Sequence, residues 1–282
     1  MVHPDRHKVV DLINRSLKED IGSGDVTSRA TLAPGKQATA ELIAKENLIL
    51  CGTWVFEKTF LQIEQSLKVK FYFKEGEFIA AGKKVAEIKG LAEPILSAER
   101  TALNFLQRMC GIATTTHAFV DKIKSTNAII FDTRKTLPGF RILDKHAVTV
   151  GGGQNHRMGL FDMILIKDNH IAASGGIKKA INKVHNKFDH KYQVEVEVKN
   201  LKELKEALSL RVDRILLDNM PVEEMEQAVK LTKGKVKLEA SGNITLDNVK
   251  RIADTGVDYI SVGSLTHSIK ASDLSLIVHS KN

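Results

Sequence analysis

Cysteine is nearly absent from this chain: Cys51 and Cys110 are the only two in 282 residues. Neither sits in a CxxC pair, which excludes a disulfide framework and leaves both as small buried hydrophobes. Aromatic residues are scarce too, at 5%. No series of aromatics alternates with basic residues, and no zinc-knuckle, helix-turn-helix or RNA-recognition signature appears. The 42 Lys and Arg against 34 Asp and Glu therefore do not point to nucleic acid. Much of that excess sits on stretches such as GIKKAINKVHNKF, read as helices with solvated outer faces. Long apolar runs are missing as well. Nothing approaches the roughly twenty apolar residues of a membrane span, and the opening MVHPDRHKVV lacks the apolar core of a signal peptide. No membrane partner is expected, and a soluble cytoplasmic protein is.

What the chain does have is cationic charge gathered in one stretch. Between Asp132 and His170 stand Arg134, Lys135, His156, Arg157 and Lys167, arranged around two apolar runs, IIF at 129–131 and MILI at 163–166. Each run is strand-like and ends in charge, so cations stand at the C-terminal ends of two buried strands, where α/β folds bind ligands. A solvated face does not need the glycines at 151–153 ahead of Asn155-His156-Arg157. So many fixed donors at one sheet edge suit a small polyanion carrying carboxylates and phosphates. Arg matches carboxylates bidentately, and Lys adds mobile point charge.

Read in order, residues 5–20 space Val9, Leu12, Ile13 and Leu17 as a helix ending before Gly22. Residues 38–50 and 69–96 read as strands with glycine turns, and 53–65 as a helix between them. The passage KVKFYFKEGEFIAAGKKVAEIKG resembles a lipoyl-type hairpin, but no lysine stands in a lipoylation context, so its role is scaffold. From Ser97 the pattern is helical, with Gly111 expected to interrupt it before a second helix over 112–123. Strand candidates then recur at 129–134, 163–167, 193–198, 214–218, 236–240 and 259–263. Helix signals fill the gaps: Asn200 caps one, while Pro221 and Thr245 open others. Six such parallel strands make either an incomplete relative of the eight-stranded barrel or an open doubly wound sheet.

Glu195 and Glu197 alternate with Val194, Val196 and Val198, so both carboxylates face one side, the interior in a barrel. Buried carboxylates need partners, and the cations of the opening stretch are the obvious ones; a lysine is expected for Glu195. Asp218 ends the next strand. Carboxylates on adjacent strand ends, Glu197 and Asp218, can hold a mostly hydrated magnesium ion that bridges phosphate and ribose oxygens. The last two strands end in Ser241-Gly242-Asn243 and Val262-Gly263-Ser264, small residues whose backbone N–H groups can approach a phosphate on the two loops where barrels often bind one.

These segments, with LKEDIGSGDVTS, SAERTALNFLQRMCGIATTT, VEVEVKN, ILLDNM, LEASGNI and TGVDYISVGSLTHS in that order, resemble motifs of the quinolinate phosphoribosyltransferase family. These are the decarboxylating nicotinate-nucleotide pyrophosphorylases of NAD biosynthesis, and the resemblance covers nearly the whole chain. It implies an α/β protein: an N-terminal mixed α/β sandwich domain over 1–111, to which 268–282 return, and an incomplete six-strand α/β barrel over 112–267. The implied reaction converts quinolinate and phosphoribosyl pyrophosphate to nicotinate mononucleotide, pyrophosphate and carbon dioxide, with magnesium as cofactor.

By the same resemblance, Arg100 of SAERTALN, Arg134, Lys135, Thr136, His156, Arg157 and Lys167 bind substrate. Lys135, Lys167, Glu197 and Asp218 are catalytic, and Glu197 and Asp218 hold the magnesium. The tripeptides Ser241-Gly242-Asn243 and Val262-Gly263-Ser264 form the 5-phosphate site. The implied assembly is a two-fold homodimer, or a larger assembly of such dimers, in which Arg100 enters the partner's site. Two other functions stay open: transfer to nicotinate or another base, and a non-enzymatic polyanion-binding module. Against the second, Glu197 and Asp218 weaken an anion site unless a metal intervenes. Leu137, His146 and Lys199 stand where the family usually has other residues, and none is a proposed ligand.

Overall fold

The computed structural model describes residues 5–189 and 191–280; the first four residues of the opening segment and residues 281–282 of the returning tail lie outside them. In chain order the elements begin with α1 (Arg6–Ile21), α2 (Val26–Thr31), β1 (Gln37–Ala44), β2 (Leu48–Ile49), α3 (Thr53–Ile63), β3 (Lys68–Phe71), β4 (Phe78–Ile79), β5 (Lys84–Leu91) and α4 (Ala92–Ile123). They continue with β6 (Ile129–Phe131), α5 (Arg141–Val150), β7 (Ile164–Ile166), α6 (Asp168–Ser174), α7 (Ile177–Phe188), β8 (Val194–Val198) and α8 (Leu201–Leu208). Then come β9 (Arg214–Asp218), α9 (Val222–Thr232), β10 (Lys237–Ser241), α10 (Val249–Asp254), β11 (Tyr259–Ser261), α11 (Ser264–His267) and β12 (Leu274–Ser280). Two units emerge. One holds Met1–His117, Leu137–Gly152 and Ser268–Asn282; the other holds Ala118–Thr136 and Gly153–His267.

The first unit is built on an antiparallel sheet in the order β12-β1-β5-β3. Along β1 the side chains of Ala38, Ala40, Leu42 and Ala44 are buried and alternate with more exposed neighbours, the period-two pattern of a strand with one covered face. That face shares a core with Phe56 and Phe60 of α3 and with Ile95, Leu103 and Leu106 of α4. Helix α4 begins at Ala92, ahead of Ser97, because Pro94 falls in the first turn, where its missing N–H needs no partner.

Gly111, read above as a break, lies inside α4, which is one helix of 32 residues. Its glycine serves close approach: a Cβ there would stand 2.2 Å from the Lys270 carbonyl oxygen. The helix accepts a propensity cost of roughly 1 kcal/mol so that the segment returning to β12 can lie against it.

The second unit is a six-stranded parallel sheet in the order β6-β11-β10-β9-β8-β7. From β7 to β11 each strand pairs with the next in sequence, and β11 then pairs with β6. That is the cyclic order of a barrel left open between β6 and β7, and it decides against the doubly wound sheet, whose order reverses at a switch point. β6, β7 and β11 are shorter than expected, three residues each, because the chain leaves the ladder after Phe131, Ile166 and Ser261 to form the loops at the barrel mouth. The register sets Glu195 beside Arg214, Leu216 beside Glu239, and Asp218 beside Ser241. No helix among the described residues is long and apolar enough to cross a membrane.

Candidate active site

The strand ends of the second unit surround a cavity of about 870 Å³. Among the expected residues, Arg134, Lys135, His156, Arg157, Lys167, Asp218, Ser241, Gly242, Asn243, Gly263 and Ser264 line it together. Thr136, Glu197 and Val262 do not. The Thr136 N–H is turned back to the Arg134 carbonyl at 2.9 Å, and Val262 is a buried apolar residue whose N–H pairs with Phe131 O at 2.9 Å. Glu197 sits behind Lys167, whose Nζ donates to its Oε2 at 2.9 Å. Arg100, exposed on α4, belongs to the first unit. The lining also includes Glu239, Asn219, Ser261 and His267, which sequence reasoning passed over. Glu239 was legible: it alternates with Leu238 and Ala240 in β10 as Glu195 does with the valines of β8.

Behind the cations lies a buried ionic cluster. His156 Nε2 meets Glu195 Oε2 at 3.0 Å and Glu239 Oε2 at 3.5 Å. Arg214 Nη1 donates to Glu239 Oε2 at 2.9 Å and stands 3.9 Å from Glu195 Oε2. The partners of Glu195 are thus a histidine and an arginine, not the lysine expected from the sequence. The lysine in reach, Lys167, lies at the strand end one layer above and takes Glu197 instead. The Arg214 guanidinium is wedged over Phe131 and Tyr259, 4.9 and 4.5 Å from their ring centroids. Ser261 Oγ donates to Glu239 Oε1 at 2.6 Å.

Protonation in this cluster follows from its surroundings. Burial, then the charge of Glu239, push the Glu195 carboxyl up to about 7. Burial alone would lower the His156 imidazole, but hydrogen bonds to Glu195 and Glu239 override it and hold a proton on Nε2. One contact opposes a second ring proton: the Arg157 backbone N–H donates to His156 Nδ1 at 2.7 Å. Nδ1 is therefore the acceptor, and the ring proton lies on Nε2 between the carboxylates. Burial, and next the neighbouring charge of Arg134, lower the Arg157 guanidinium below its ordinary value. Two like charges held this close are relieved by an anion.

On the far wall the loop after β10 is shaped by contact. Gly242 adopts φ +102°, and a Cβ there would stand 2.1 Å from Asn219 Oδ1. Asn219 and Asn243 are themselves left-handed at φ 53° and 51°, and Asn243 Nδ2 donates to Asn219 Oδ1 at 3.1 Å. Asparagine tolerates that conformation better than most residues, so the loop is held open to the cavity by residues suited to it. Across from it, Gly263 leaves room for Lys135 Cδ and the His267 ring, each 3.2 Å from where a Cβ would be. Lys135 is further tied down where Thr266 Oγ1 donates to its carbonyl at 2.8 Å.

Asp218 offers a hard oxygen donor at the mouth. Its Oδ1 accepts from Asn219 Nδ2 at 3.1 Å. With Glu197 on the adjacent strand it supplies the donor chemistry a hydrated divalent cation uses.

Two family models match most of the chain: "Quinolinate phosphoribosyl transferase, N-terminal domain" over residues 25–110 and "Quinolinate phosphoribosyl transferase, C-terminal domain" over 112–277. The chain is 45% identical to quinolinate phosphoribosyltransferase [decarboxylating] 1b of Nicotiana tabacum, covering 98% of this chain and 85% of that protein. It is 42% identical to the probable nicotinate-nucleotide pyrophosphorylase [carboxylating] of Bacillus subtilis, covering 96% and 93%. Among solved structures, NadC from Streptococcus pyogenes superposes with a TM-score of 0.96 at 39% identity, over 100% of both chains.

Proposed function

The chain belongs to the quinolinate phosphoribosyltransferase family, and from that membership and its cation-lined cavity we infer that it makes nicotinate mononucleotide, pyrophosphate and carbon dioxide from quinolinate and phosphoribosyl pyrophosphate. The observation that carries this reading is the convergence of Arg134, Lys135, His156, Arg157 and Lys167 on one cavity. Both substrates are polyanions. The guanidiniums suit the two pyridine carboxylates, and the small-residue loops at Ser241-Gly242-Asn243 and Gly263-Ser264 suit the 5-phosphate. Thr136 and Val262 support this site through their backbone positions.

In this reading the cations hold quinolinate so that its ring nitrogen faces C1 of the ribose. The nitrogen's electron pair forms the new bond to C1 while the bond from C1 to the pyrophosphate oxygen breaks and its pair leaves with pyrophosphate. Lys135 and Lys167 meet the charge that develops on the leaving group. Asp218 and Glu197 would hold a magnesium ion, which when bound would supply positive charge to the leaving pyrophosphate. The ribosylated ring is then a pyridinium. It accepts the electron pair released when the bond to the adjacent carboxylate breaks, carbon dioxide leaves, and a proton adds at that carbon. Release of pyrophosphate and carbon dioxide from quinolinate tests the whole scheme; turnover of nicotinate without carbon dioxide would replace it with the related transferase.

The proposal extends to assembly. Arg100 is an exposed arginine on the long helix of the first unit. In a two-fold dimer it reaches the partner's cavity, making each site composite. Arg100→Ala and Arg134→Ala are each expected to be inactive alone, and the mixed dimer to regain activity because one of its two sites is intact. A mixed dimer as inactive as its parents would overturn the shared site and leave the chemistry standing.

A further inference from the structure

Arg134, Lys135, Arg157 and Lys167 on the cavity wall stand in front of a layer of charged groups, Glu195, Glu239, His156 and Arg214, of which His156 and Glu239 reach the cavity. Glu195 and Glu239 are wholly buried, and His156 is 8% exposed. Two carboxylates beneath an anion site are electrostatically unfavourable, since each repels the substrate and each costs desolvation. An apolar layer would avoid both costs. Their retention calls for a compensating role, and the geometry supplies one.

We infer that Glu239, Glu195 and Arg214 are positioning residues: they clamp the His156 ring, which through its Nδ1 holds the Arg157 backbone and so sets the Arg157 guanidinium that meets a quinolinate carboxylate. This rests on the function proposed above. The clamp has three fixed sides. Nε2 is held between Glu195 and Glu239 at 3.0 and 3.5 Å. Nδ1 takes the Arg157 N–H at 2.7 Å. The His156 N–H is anchored on Asp132 Oδ1 at 2.9 Å, while Asn155 Nδ2 takes the other Asp132 oxygen at 2.6 Å. Beyond the ring, Arg214 pins Glu239 from its place beside the stacked Phe131 and Tyr259 rings, and Ser261 holds the remaining Glu239 oxygen. Finally, Arg157 Nη1 donates to Met163 O at 3.2 Å, which fixes the direction of the guanidinium. A cation so held loses little freedom when it binds a rigid planar diacid, the condition under which a bidentate contact yields most affinity.

Charge and position make opposite predictions for Glu239→Gln. The variant keeps the shape and the Ser261 contact but removes a negative charge beneath an anion site. If charge alone mattered, the quinolinate KM would fall. If Glu239 positions His156 and Arg157, it rises. We expect a rise of tenfold or more, with the KM for phosphoribosyl pyrophosphate and the melting temperature unchanged. Arg214→Met should behave alike, and Arg214→Lys should recover part of the loss. Should Glu239→Gln not fold, Ser261→Ala removes the hydrogen bond to Glu239 Oε1 and is expected to raise the same KM several-fold. An unchanged or lower quinolinate KM, or equal rises in both KM values with a fallen melting temperature, overturns the clamp. If the wild-type chain turns over nicotinate but not quinolinate, the functional reading fails, and the clamp is judged by the same ratio measured with nicotinate.

Discussion

The two units differ in what they bury beside their apolar side chains. The first encloses an apolar cluster of Leu42, Leu48, Phe56, Phe60, Ile88, Leu103 and Leu106, each at most 1% exposed. It also buries an ion pair, in which Arg108 Nε and Nη2 each donate to Asp144 at 2.8 Å as a bidentate fork. In the second unit apolar side chains such as Val196, Ile215, Leu217 and Ile260 are buried as well, but the inner face of the barrel also carries Glu195, Glu239, His156 and Arg214. Apolar burial gives stability cheaply, whereas buried charge does so only when every partner is in place. The first unit is therefore built to hold together, and the barrel interior to hold side chains in position.

The largest effect that could break this contrast is a cavity in the first unit. Phe56 packs edge-on against Phe60 and Phe71, with ring centroids 5.0 and 5.7 Å away. Phe56→Ala should cost about 3–5 kcal/mol of unfolding free energy. At a temperature where the variant is still folded, kcat should match the wild type. A kcat loss as large as the stability loss would show that the apolar core also tunes the site.

The converse is a cation removed from the barrel mouth. Lys135→Ala and Arg157→Ala should each lower kcat/KM by about 10²–10³-fold, the scale for one charge-stabilising donor in a desolvated site. Denaturant midpoints should stay near that of the wild type, because both side chains face the cavity rather than a core. A variant with near-normal turnover removes that residue from the site.

The same contrast explains what could be read from the sequence. Strand positions in the barrel were legible because β8 and β9 carry β-branched and aliphatic residues, and the cations stood out because they follow the apolar runs of β6 and β7 closely. The boundaries of β6, β7 and β11 were not, since the residues after Phe131, Ile166 and Ser261 leave the ladder for reasons fixed only by the loops they enter. Gly111 misled: local propensity reads a glycine as a stop, while the reason for this one is a backbone contact with Lys270, 159 positions away in sequence. The partner of Glu195 was misjudged for a related cause. Alternation shows that a carboxylate points inward, but which cation meets it depends on the stagger between strands, here Glu195 beside Arg214. Glu239 was passed over although its alternation is the same as that of Glu195.

The smallest expected effect sharpens the contrast from the side of the first unit, where a charge serves stability. Helix α3 starts after Gly52, which at φ 99° has no side chain to cap the helix. Glu75 substitutes from a distant turn. Its carboxylate accepts Gly52 N at 2.7 Å, Thr53 N at 3.1 Å and Thr53 Oγ1 at 2.7 Å, and His146 Nε2 lies 3.5 Å away. Burial alone would raise this carboxyl, but His146, Gly52 and Thr53 together bring it down to about 2 from the usual 4.5. A carboxyl lowered on folding contributes stability that is complete above about 4.5 and is lost as the pH falls toward 2. The side chain is 31% exposed, so water shares the interaction, and a contribution of about 1–2 kcal/mol is expected, in the range of helix-capping residues. Glu75→Gln should therefore unfold more easily than the wild type at pH 6 by about that amount. At pH 3 the gap should narrow, because the unfolded wild type has by then taken up a proton that the folded form largely lacks, while the amide binds none in either state. Unfolding of both proteins by urea at the two pH values measures the gap directly. A gap of equal size at both would mean that Glu75 supports the helix through shape and neutral hydrogen bonds, and that the first unit, unlike the barrel, makes no use of this charge.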